Sequence, residues 1–98
     1  MKTYITFYQG EIRAVEITIR DQDDDDFNPD PSGAYFSVVD SDGTTVKAEA
    51  NCLVTENKIY ALINTEVTAT VDEYEIVWRI VKDSYTYYHK TKLNVEEL

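Results

Sequence analysis

Apolar and polar residues alternate with period two along most of the chain, and no stretch keeps a 3.6-residue period. The alternation, bounded by turn residues, predicts seven strands: Thr3 to Gln9, Ile12 to Arg20, Ala34 to Asp40, Thr44 to Val54, Lys58 to Asn64, Glu73 to Lys82 and Tyr85 to Val95. The clearest is Glu73 to Ile80, where Tyr74, Ile76, Trp78 and Ile80 share one face and Glu73, Glu75 and Arg79 take the other. In Thr44 to Val54 the residues Val46, Ala48, Ala50, Cys52 and Val54 alternate with Lys47, Glu49 and Asn51, which points the cysteine inward as a small hydrophobe. In Ile12 to Arg20 the phase slips between the set Ile12, Ala14 and the set Val15, Ile17, Ile19. A bulge or a strand that changes sheet would produce such a slip.

The connections arrange these strands. Asp42-Gly43 suits a tight hairpin turn because glycine accepts a positive φ, so the third and fourth strands should be neighbours. Thr55-Glu56-Asn57 and Asp83-Ser84 are similarly short. Asp21 to Gly33 and Thr65 to Asp72 are long enough to pass from one sheet to another, which implies two sheets packed face to face.

Composition narrows the possibilities. At 98 residues the chain fits a single domain, residues 1–98, and its 8 Tyr, 3 Phe and 1 Trp with only 3 Gly favour pleated, half-buried surfaces. A net charge of -10 argues against nucleic acid, whose binders need clustered positive charge. No apolar run reaches the ~20 residues that span a bilayer, and Met1-Lys2-Thr3-Tyr4 opens no secretory signal, so the sequence is read as a cytosolic, membrane-free protein. The single Cys52 excludes an internal disulfide.

The segment 21–30 holds six of the ten aspartates. Asp21, Asp23 and Asp25 imitate the start of an EF-hand loop and are the candidate calcium ligands. Asp26, however, stands where the sharp-turn glycine belongs and Ser32 where the closing glutamate belongs. The competing readings are a solvated inter-sheet loop or an acidic knob for a basic partner, and no cofactor is expected beyond this possible Ca2+.

Thr70-Val71-Asp72-Glu73-Tyr74-Glu75-Ile76 resembles the tyrosine-corner segment of immunoglobulin-like domains, with Ile76 where an antibody domain carries its second cysteine and Trp78 on the sixth strand in place of the third. The whole chain is similar to the small immunoglobulin-like modules of tailed-bacteriophage virion proteins, such as the N-terminal domain of upper baseplate proteins. The likeness lies in Gly10-Glu11, Ile19-Arg20-Asp21-Gln22-Asp23, Pro31-Ser32-Gly33-Ala34 and Glu73 to Ile80. It implies a seven-stranded immunoglobulin-like β-sandwich without a disulfide. It also implies a non-enzymatic structural or accessory protein of the virion, assembled in the host cytoplasm, whose partners are other virion proteins and further copies in a symmetric assembly.

Tyr87 and Tyr88 are adjacent and cannot both face one core, so the last hairpin must turn a tyrosine outward. Tyr8, Tyr35, Tyr85 and Tyr88, with Lys90 and Lys92, are the candidate partner contacts, because tyrosine is enriched at interfaces. Cross-strand stabilisation by aromatic pairs explains the same tyrosines, and edge protection the same lysines. The alternative function is a carbohydrate- or calcium-binding adhesion module using Tyr85, Tyr88 and Trp78 or the aspartate loop. Catalysis would require Glu73, Glu75 and His89, the only histidine, to converge.

Overall fold

The computed structural model describes residues 4–18, 33–65, 71–82 and 84–97. They form eight strands: β1 (Tyr4–Tyr8), β2 (Ile12–Thr18), β3 (Ala34–Val39), β4 (Thr45–Asn51), β5 (Leu53–Thr55), β6 (Lys58–Asn64), β7 (Asp72–Lys82) and β8 (Tyr85–Glu96). A five-stranded sheet, β1-β8-β7-β3-β4, faces a three-stranded sheet, β2-β6-β5. The all-β expectation holds, and both long connections join strands of different sheets.

The count of seven is corrected to eight. The run Thr44 to Val54 breaks at Cys52, whose N–H donates to the Ala34 carbonyl while the chain steps from β4 in the large sheet to β5 in the small one. One alternation therefore serves two sheets. Ala50 and Cys52 still point inward, Cys52 being 7% exposed, but Val46 and Ala48 are exposed. The cause is width and register. The large sheet extends beyond the small one, and β4 meets β3 with two register irregularities, between Phe36 and Val38 and between Val38 and Val39.

The phase slip in the second strand also has a different origin from the bulge expected. β2 pairs β6 without irregularity from Ile12↔Asn64 to Thr18↔Lys58. Val15 faces the core, whereas Ile12 and Ala14 lie on the outer face and are exposed.

The core joins Phe7, Val15, Phe36, Ile59, Ile76, Trp78 and Leu93 from both sheets. Trp78 is fully buried, its ring centroid 6.5 Å from that of Phe36, and its Nε1–H donates to Thr91 Oγ1 at 3.0 Å. That bond satisfies the one polar atom that burying an indole would otherwise orphan. Arg13 lies on the inward parity of β2 yet stays exposed: its guanidinium sits 4.3 Å from the Phe7 ring centroid, donates to the Thr6 carbonyl and pairs with Glu11. A cation thereby closes the open side between β1 and β2. The Asp42-Gly43 turn forms as expected, with Gly43 at φ 83° and Asp40 accepting from the N–H groups of Asp42 and Thr44.

Candidate interaction surface

β7 and β8 are 11 and 12 residues long, whereas β2 and β6 have 7 each, so the β7–β8 hairpin runs past the small sheet. The distal half of β8 lacks cover, although Trp78 and Ile80 beside it on β7 are buried. On β8, Tyr85 to Lys90 are all exposed, and burial begins at Thr91, Leu93 and Val95. Tyr85 and Tyr88 are 66% and 67% exposed, so the outward tyrosines that the sequence demands are real. The turn between the strands is tight, with Ser84 at φ 70°.

The register sorts the candidates by face. Tyr88 lies opposite Arg79, Arg79 opposite Tyr35, and Tyr35 opposite Asn51, so one row crosses β8, β7, β3 and β4 on the outer face of the large sheet. In that row the Arg79 guanidinium stacks 4.2 Å from the Tyr35 ring centroid and donates twice to Glu49, Nε to Oε2 at 2.9 Å and Nη2 to Oε1 at 2.6 Å. The fork holds the Glu49 carboxyl below the usual glutamate range, and Glu49 in turn raises Arg79. Tyr85 has the opposite parity, on the same face as Tyr87 and His89. Tyr8 pairs with Glu96, eleven residues along β8 from Tyr85, so it stands at the far end of the molecule, roughly 36 Å away. Tyr88 and Tyr35 are thus brought onto one face, Tyr85 stands on the other face at the same end of the hairpin, and Tyr8 is separate.

The positive charge of the hairpin is largely neutralised. Lys90 pairs with Glu75 at 3.7 Å, and Arg79 is committed to Glu49. Lys92 is half-buried opposite Glu75. What the end of the hairpin offers a partner is therefore aromatic area more than charge. The sets needed for catalysis also separate, since Glu73 and Glu75 lie on the outer face and His89 on the other.

Asp21, Asp23 and Asp25 lie outside the described residues. Among the described residues no three His, Cys, Asp or Glu side chains are grouped to hold a metal ion. Cys52 is buried, and burial pushes its thiol up to about 12.

One apolar surface escaped the sequence reading. On the outer face of the small sheet Ile12, Leu62 and Leu53 are 61%, 63% and 75% exposed. Two signals could have found it. One is the phase slip at Ile12 and Ala14; the other is Ile59 to Ile63, which is apolar at both parities.

No protein-family model matches this chain, and no curated protein matches it. Among solved structures the fold matches CopC from Methylosinus trichosporium OB3b, with a TM-score of 0.66 and 15% identity, over 98% of this chain and 84% of that one. That neighbour is a CopC protein and not a virion component. The finding corrects three expectations: the virion structural or accessory role with its adhesion-module alternative, the virion location, and a cofactor limited to possible calcium. The residues behind the phage likeness are those that any sandwich of this kind needs for its turns and core, which is why they point equally well to a different protein. At 15% identity the match establishes the fold alone and carries no ligand over to this chain. Copper favours imidazole and sulfur donors, and here His89 is on the β8 overhang while Cys52 is buried at the β4–β5 step. These two donors do not converge into a copper site.

Proposed function

We propose that the chain is an immunoglobulin-like, non-catalytic module that holds a protein partner with the tyrosine-rich end of its β7–β8 hairpin. The immunoglobulin-like reading is supported by the strand order, with β7 and β8 central in the larger sheet and β2, β6 and β5 opposite. The observation that carries the function is the uncovered hairpin end, where Tyr85 and Tyr88 are two-thirds exposed beside a tight turn. Tyrosine brings large apolar area with a polar tip and only two rotatable bonds to immobilise, so it is well suited to a contact of this kind. Arg79, locked between Tyr35 and Glu49, stiffens the sheet beneath Tyr88 and lowers the cost of ordering the surface on binding. The net charge of -10 favours a protein partner over nucleic acid.

The test is site-specific photo-crosslinking in the cell that makes the protein. A benzophenone side chain at Tyr88 is expected to give one dominant adduct, lost in the Tyr85→Ser background. The same group at Asp42, on the far turn, is expected to give none. Identical adducts at both positions, or no adduct at Tyr88, would refute the proposal. Once the partner is isolated, Tyr88→Ser is expected to weaken its binding about thirtyfold, the loss typical of a hot-spot aromatic.

A further inference from the structure

The outer face of the three-stranded sheet carries a continuous apolar stripe. Leu53 on β5 lies opposite Tyr60 on β6; Leu62 is two residues further along β6 and opposite Ala14 on β2; Ile12 is diagonal to Leu62. Side chains opposite or diagonal on one sheet face are within reach of each other, so Leu53, Leu62 and Ile12 form one diagonal band. Solvated aliphatic side chains occurring singly need no explanation, but three in a band across a whole sheet do.

The charge around the band says what covers it. Glu16 and Lys58, the charged strand residues on this face, pair with each other at 3.8 Å. Among the described residues the face is therefore electrically neutral in a chain of net charge -10, and they present no unpaired charge with which to select a charged partner. Its layout is also self-complementary. A two-fold axis in the plane of contact, perpendicular to the band, sets Ile12 of one copy against Leu53 of the next and Leu62 against Leu62, the isologous arrangement that a dimer needs.

We infer that this face is a homodimer interface, in which two copies pack their small sheets face to face. The sheet is about 23 Å long over β2 and β6 and about 10 Å over the shorter β5, at about 4.8 Å per strand, or roughly 270 Å² per copy. A stable complex uses about 800 Å² per partner, so the pair is weak and concentration-dependent. The inference is independent of the tyrosine end, which lies on the other sheet.

Sedimentation equilibrium of the full chain tests it. The expected result is reversible dimerisation with a sub-millimolar dissociation constant, tightening severalfold from about 0.05 M to about 0.5 M salt as repulsion between two acidic copies is screened. Leu62→Gln is expected to raise the constant about tenfold or more, and Leu53→Gln, on the edge strand, gives a second variant should the first fold poorly. Tyr88→Ser is expected to leave it unchanged. A chain that stays monomeric at millimolar concentration overturns the inference, and so does a dimer insensitive to both glutamines. Association that weakens with salt, or that Tyr88→Ser abolishes, assigns the contact to other groups and overturns it as well.

Discussion

Trp78 ties the alternation of one strand to the register of the next. Its period-two neighbours mark it as core, and it is fully buried. Its hydrogen-bond partner was not legible, because Thr91 is on another strand and only the register of β7 against β8 brings the two together. Thr91→Val keeps the shape and strands the indole N–H. It is expected to cost about 1–3 kcal/mol in urea unfolding, whereas Trp78→Ala should cost about 3–5 kcal/mol. Cys52 gives a pH-dependent counterpart. Burial raises its thiol from an ordinary 9.0 to about 12, so the folded state favours the protonated form. The corresponding stability is complete below pH 9.0 and is lost as pH rises toward about 12. Between those values the wild type should lose more stability than Cys52→Ala, and iodoacetamide should label the thiol only as fast as the protein unfolds.

At the scale of strands, existence and type were legible while assignment to a sheet was not. The residues from Thr44 to Val54 alternate without a break, so nothing in their pattern marks Cys52 as the step between layers. The slip in Ile12 to Arg20 was visible, but both readings offered for it, a bulge and a strand that changes sheet, were wrong: β2 pairs regularly and carries apolar residues on both faces. Contacts between strands bring their own pH dependence. The Arg79 fork spans from β7 across β3 to β4 and tethers an otherwise irregular edge. Because Glu49 titrates below its usual value when folded, this tether helps at pH values above the ordinary glutamate range and fades as pH falls through the lowered value. Glu49 is 43% exposed, so solvent screens the pair and the effect is small. Glu49→Gln is expected to flatten the acid side of the stability profile below pH 4.5 and to speed amide exchange along β4.

For the whole molecule, the two-layer architecture followed from strand count and connection lengths, whereas the role did not. Turn and core residues say how a sandwich closes and nothing about what it meets, so a likeness built on them could not carry a role. Tyr88 was legible as outward because it and the adjacent Tyr87 cannot share a face; the band from Ile12 to Leu53 was not, because its members come from three strands whose order the sequence does not disclose. One feature of that order bears on how the protein is made. β1 runs parallel to β8, with Tyr4 beside Lys92 and Tyr8 beside Glu96, so the first of the eight strands to be made has its neighbour in the last. Until β8 emerges, Phe7 has no finished layer to sit on, and the nascent chain must keep that segment in reserve while the later hairpins form around its vacant place.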